Sequence, residues 1–107
     1  MTKFYPTRGA EVAAGLRALA DDFAQLPDVD LPDLGVSLSV QVCQHSGTGA
    51  ERSATVDLIA HALLGAGGAD KLWDTGQIVR RTPYGSRRDL LDISVYSVVG
   101  QRAEVTA

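Results

Sequence analysis

The clearest order in the chain is a strict alternation. Val36, Leu38, Val40 and Val42 are separated by Ser37, Ser39, Gln41 and Cys43. Side chains of a strand point alternately to the two faces of a sheet, so this segment predicts a strand with one apolar and one polar face. The polar face implies a sheet covered on one side only. Upstream the period changes. Val12, Leu16, Leu19, Phe23 and Leu26 recur at spacings of 4, 3, 4 and 3, which gathers them into an arc of about 80° on a helix. Thr7 suits the N-cap of that helix, Glu11 suits its first turn, and Pro27 stops it. Arg17, Asp21 and Gln25 lie on the opposite, wet side. Two heptads are too few for a coiled coil, so the helix is expected to pack on a sheet.

A second helix is expected from about Glu51 to Leu64, with Val56, Ile59, Ala60 and Leu63 inward. Leu58 falls on another side, as single surface leucines commonly do. Gly65, Gly67 and Gly68 end the helix. Residues 71–82 and 88–99 read as two strands, joined by the turn chemistry of Pro83-Tyr84-Gly85-Ser86. On the last strand Leu91, Ile93 and Val95 are expected inward, and Asp92, Ser94 and Tyr96 outward. Residues 1–6 read as a tail, with Phe4 and Tyr5 folded over the core. Residues 27–33 read as an acidic connector framed by prolines; they lack the central Gly and closing Glu of an EF-hand loop. Residues 100–107 read as a frayed end.

The expected order is therefore α-β-α-β-β, an α+β class. The central β-α-β favours a crossover between parallel strands. The last strand then inserts between them, antiparallel to both. The result is a three-stranded split β-α-β sheet of order 1-3-2, with both helices on one face. Val36, Leu38, Val40 and Val42 would be buried beneath Val12, Leu16, Leu19 and Phe23.

Composition narrows the setting. At 107 residues and 11.3 kDa, with 45% hydrophobic and 21% charged residues, residues 1–107 suit one domain. The net charge of −3 excludes a generally basic nucleic-acid coat. No apolar run approaches the ~20 residues of a membrane span, and no charged-then-apolar leader is visible. The chain has one Cys and no Asn, hence no disulfide framework and no N-glycosylation acceptor. A cytoplasmic location is expected. Eight Arg against two Lys fits a GC-rich genome.

The run Gly15-Leu16-Arg17-Ala18-Leu19-Ala20, followed by Pro27 and Pro32, resembles small uncharacterised proteins of actinobacteria and of their phages and mobile elements. Those proteins carry a similar helix and proline-framed connector. Ala69-Asp70-Lys71 and the strand from Ile93 to Val99 fit the same outline. The resemblance implies an actinobacterial or phage origin and a cytoplasmic setting. It attaches no activity, and so no functional residue, to this chain.

Candidate chemistry is sparse. Cys43, His45, Asp57 and His61 are the residues available for catalysis or metal binding. A structural zinc site needs four ligands, and a catalytic one three with a water. The spacing here demands neither, and no orienting group or oxyanion hole accompanies a Cys-His pair. Asp57 and His61 are one helical turn apart, a modest pairing on a helix surface. Gly65-Ala66-Gly67-Gly68 follows a helix, whereas phosphate loops precede one. No catalytic residue, metal or cofactor is expected.

Interaction chemistry is richer. Arg80-Arg81 and Arg87-Arg88 flank the expected turn, with Tyr84 at its tip and Tyr96 on the outward sheet face. Arg80, Arg81, Tyr84, Arg87, Arg88 and Tyr96 are therefore the candidate partner-binding residues. The expectation is a non-enzymatic interaction protein that meets a host or phage protein. The alternative is an accessory nucleic-acid binder that uses the Arg-rich hairpin on phosphates. An RNA platform needs stacked aromatics on adjacent strands. Tyr96 and Trp73 are candidates, but Ser37, Ser39 and Gln41 offer none. The same open face is a candidate homodimer surface.

Overall fold

The computed structural model describes residues 7–26 and 34–102. The tail at 1–6, the connector at 27–33 and the end at 103–107 lie outside the described residues. The chain divides into two compact units, Met1–Pro32 and Asp33–Ala107.

In the first unit, α1 spans Arg8–Ala24. Thr7 caps it as expected, its hydroxyl accepting from the Ala10 N–H at 3.0 Å. Arg8 and Glu11 pair across the first turn. The 4-3-4-3 stripe forms, but no residue of α1 is buried, and the stripe residues are 41–60% exposed. In the second unit the apolar side chains Leu38, Val40 and Val42 pack with the second helix.

The second unit holds β1 (Val36–Gln41), α2 (Gly49–Leu64), β2 (Ala69–Leu72), β3 (Gln77–Arg81), β4 (Arg87–Arg88) and β5 (Leu91–Gln101). The alternation at β1 forms the expected strand. Thr48 caps α2 in a capping box with Glu51: the Thr48 hydroxyl accepts from the Glu51 N–H, and the Glu51 carboxylate accepts from the Thr48 N–H. The Thr-x-x-Glu spacing is the signature of that box, so the helix begins two residues before the expected Glu51. Gly65, at φ 77°, closes it in the left-handed region that glycine alone enters freely.

The sheet has five strands in the order β1-β5-β3-β2, with β4 also on β5. The fold is α+β, with two differences from the three-stranded expectation. First, residues 71–82 are two strands, not one. Asp74-Thr75-Gly76 turns the chain back, with the Gly76 N–H donating to the Trp73 carbonyl and Gly76 at φ 85°. The extra reversal changes the strand directions. β5 runs parallel to β1 and antiparallel to β3, and β3 runs antiparallel to β2. So β2 is the strand parallel to β1 across α2, and β5 is not antiparallel to both neighbours.

Second, Pro83–Ser86 is not the hairpin tip. It makes a turn, with the Ser86 N–H donating to the Pro83 carbonyl at 3.2 Å, yet the chain continues along β5. The Thr82 N–H donates to the Val95 carbonyl, and the Ile93 N–H donates to the Ser86 carbonyl. Three residues, 83–85, thus bulge out opposite one. The tip is at Asp89–Leu90, between the pairs Arg88↔Leu91 and Arg87↔Asp92, with Asp89 at φ 54°.

The core lies between α2 and one sheet face. Val56, Ala60, Ile93 and Val95 are buried together, and Leu38, Val40, Val42, Ile59, Leu63 and Leu64 pack around them. The predicted inward stripe of α2 is therefore the observed one, and Leu58 is exposed. Gly49 lets the start of α2 approach β5 closely: a Cβ there would collide with the Val99 carbonyl. Two buried hydroxyls bind backbone. Thr82 accepts from the Val95 N–H, and Ser97 donates to the Val42 carbonyl.

Candidate functional site

The register sorts the polar residues of the second unit by face. Ser37, Ser39 and Gln41 oppose Asp92, Ser94 and Tyr96 on β5. Arg81 opposes Tyr96, and Arg87 opposes Asp92. Lys71 opposes Val79, two residues from Arg81. Side chains two residues apart share a face, so these residues lie on the side away from α2. On the same face Val79 is fully buried. The β1 half of the face is exposed at Ser37, Ser39 and Gln41, and Ser39 and Ser94 hydroxyls meet at 3.0 Å.

The bulge at 83–85 builds the most distinctive feature of this face. Tyr84 lies over it, with the Arg81 guanidinium 3.6 Å from the ring centroid and the Lys71 ammonium 4.9 Å away. Both cations are attracted to the ring's π face. The Arg81 Nε donates to the Thr82 carbonyl, which holds the guanidinium in place. The ring itself stays 67% exposed. Between the bulge and β1 is an open depression of about 230 Å³, lined by Ser37, Ser39, Arg81, Tyr84, Asp92 and Ser94 among others.

The six candidate partner-binding residues do not form one patch. Arg81 and Tyr84 stack, and half-buried Tyr96 stands beside Arg81 in the register. Arg87 pairs with Asp92 at 3.2 Å. Arg88 is exposed on the last turn of the hairpin. Arg80 is turned the other way, toward α2. Its Nη2 reaches Asp57 Oδ2 at 2.8 Å and its Nε reaches Oδ1 at 3.2 Å, while Nη1 lies 3.4 Å from Asp70. Arg80 and Arg81 alternate faces as neighbours on a strand do, but the four Arg do not flank one tip, because the tip is at Asp89–Leu90.

The Asp57 clasp was not apparent in the sequence. Its carboxylate also accepts the Gly68 N–H at 2.9 Å, so one side chain ties α2 to the α2–β2 loop and to β3. The Arg80 fork, then the Gly68 amide, hold the Asp57 carboxyl below the usual carboxylate range. His61 is the smallest contributor to that lowering, in keeping with the modest pairing its i+4 spacing suggests. Arg52, another unanticipated link, donates to the Val98 and Gly47 carbonyls and fixes α2 to β5 and to the loop before it.

Cys43 and His45 are exposed after β1, and His61 is exposed near the end of α2. Among the described residues no three His, Cys, Asp or Glu side chains stand together as a metal site. Trp73 is half-buried at the β2–β3 turn, two residues along from Lys71 and so on the same face. No helix among the described residues is long and apolar enough to cross a membrane. Comparison of the chain with protein-family models, with curated proteins and with solved structures finds no match.

Proposed function

We propose that the protein is a non-enzymatic interaction module that binds an acidic surface of another protein through the sheet face opposite α2. One observation carries this reading: the exposed Tyr84 ring stacked on Arg81 beside Lys71. Tyr and Arg dominate the residues on which protein interfaces depend, because each joins a large contact area to directed polar groups. Here both are held in place before any partner arrives, which lowers the ordering cost of binding. Arg87 adds a partly neutralised cation at the far end of the face.

A phosphate-binding role for the hairpin is less well supported. Arg80 is engaged with Asp57 and Asp70, and Arg87 with Asp92. A chain of net charge −3 repels nucleic acid away from any local cation. The test has two arms. Tagged protein is used to capture partners from nuclease-treated extracts of the source cell, with Tyr84→Ala and Arg81→Ala as controls. Binding to mixed-sequence DNA and RNA is measured at two salt concentrations. The reading expects a protein partner held by the wild type and lost by both variants, with no nucleic-acid binding at physiological salt. Micromolar nucleic-acid binding that falls steeply with salt would replace it with the phosphate reading.

A further inference from the structure

The two edges of the sheet are built differently. β2, at one edge, has four residues and carries Asp70 and Lys71. Shortness and charge are the usual protection of an edge against pairing with another chain. β1, at the other edge, has six residues, Val-Ser-Leu-Ser-Val-Gln, with no charge and no proline. Among the described residues its outer edge has no strand partner.

Which groups face outward follows from the ladder. The Val42 N–H donates inward, to the Tyr96 carbonyl. In a parallel pair, alternate residues turn both backbone groups to the same neighbour. Val36, Leu38 and Val40 therefore bond to β5, and Ser37, Ser39 and Gln41 present their N–H and C=O groups outward. We propose that β1 pairs antiparallel with β1 of a second copy of this chain, about a two-fold axis at Ser39.

The strand is self-complementary in that register. Ser37 faces Gln41 of the second copy, Ser39 faces its own counterpart, and every outward backbone group of these three residues gains a partner. Leu38 lies beside Val40 of the other copy, so the apolar face of one sheet continues into the other. Leu38, Val40 and Val42, half-buried at the edge of the core, gain apolar neighbours there. A two-fold contact of this kind closes on itself and, among the described residues, leaves outside the charged edges of β2 and of the two-residue β4. The sheet then runs through ten strands, twice the five of one copy. This differs from a homodimer through the open face, which stays available to a partner.

Sedimentation velocity over about a hundredfold range of concentration tests the pairing, since association follows mass action. The wild type is expected to move from the mass of one chain, 11.3 kDa, to twice that. Ser39→Pro deletes an outward N–H without touching the β1–β5 ladder and is expected to stay monomeric. Ser39→Lys sets like charges side by side at the axis and is also expected to stay monomeric. An equimolar mixture of Ser39→Lys and Ser39→Asp is expected to regain the dimer, which excludes misfolding as the cause. Trp73 fluorescence confirms that each variant is folded. A wild type that is monomeric throughout overturns the proposal. So does a dimer that survives both Ser39→Pro and Ser39→Lys, or a mixture that stays monomeric. A wild type that stays monomeric but binds a separate synthetic β1 peptide would likewise overturn it and reassign the edge to a foreign strand.

Discussion

Replacing Asp57 by Ala removes three polar contacts at once: two to the Arg80 guanidinium, at 2.8 and 3.2 Å, and one to the Gly68 N–H at 2.9 Å. A hydrogen bond to a charged group contributes about 1.5–3 kcal/mol when protected from water, and an exposed ion pair about 0.2–1 kcal/mol. The two side chains are 25% and 32% exposed, between those limits. The loss also leaves Arg80 with only the longer contact to Asp70. A destabilisation of about 1.5–3 kcal/mol follows, a large share of the ~5–15 kcal/mol typical of a domain. With a urea slope of about 1–3 kcal/mol/M, the midpoint should fall by about 1 M. The assay is urea unfolding followed by Trp73, the single tryptophan, which sits at the β2–β3 turn within the affected unit. A double-mutant cycle with Arg80→Ala should return a coupling of about 1–2 kcal/mol. The pH dependence has a definite sign. Asp57 is held below its ordinary pKa of 3.8 in the fold, so its contribution is complete above that value. It disappears as pH falls from there through the lowered folded value. Wild type should lose its advantage over Asp57→Ala in that acid range and keep it at neutral pH. Single-mutant losses that simply add, or a midpoint unchanged by Asp57→Ala, would refute the clasp.

Ile93→Ala, at a position 5% exposed, should cost about 2–5 kcal/mol in the same assay. Leu38→Ala, only half-buried beside that cluster, should cost less than Ile93→Ala; the reverse order would contradict the face assignment. Gly49→Ala should destabilise by about 1–3 kcal/mol, as overpacking does, although Ala is the better helix former; its Cβ meets the Val99 carbonyl, and a gain in thermal midpoint would show that α2 does not approach β5 so closely. Asp89→Gly should raise stability by up to about 1 kcal/mol, because Asp89 holds a left-handed φ of 54° that costs an L-residue energy; thermal unfolding showing a loss would place the β4–β5 tip elsewhere.

Periodicity determined the local elements of this protein. Alternation at Val36–Val42 specifies a strand with two unlike faces, because side chains on a strand have period two whatever they pack against. The α2 stripe of Val56, Ile59, Ala60 and Leu63 and the inward set Ile93 and Val95 follow by the same logic. Thr48-x-x-Glu51 carries a capping-box signal by spacing alone, which an expected start at Glu51 passes over. Asp74-Thr75-Gly76 and the residue pair Asp89-Leu90 were harder, since a turn within an apolar run competes with continuation of the strand. The decision rests on which reversal lets every neighbouring backbone group pair. Pro83–Ser86 shows the converse. Its residues specify a turn, and a turn forms, but the bonds Thr82 and Ser86 make to β5 turn it into a bulge.

The site lies on the tertiary side of that division. Arg80 and Arg81 are equivalent in sequence, yet one closes an ion pair under α2 and the other stacks on Tyr84. Register and the position of α2 decide between them, and both depend on the pairing of residues distant in the chain. Asp57 and Arg80 are 23 positions apart, a separation at which no local pattern links them. The α1 stripe is written in the sequence too, but a stripe specifies only that an apolar face exists. Which surface an apolar face meets is a tertiary matter, as where Val56 and Ala60 of α2 pack on Ile93 and Val95.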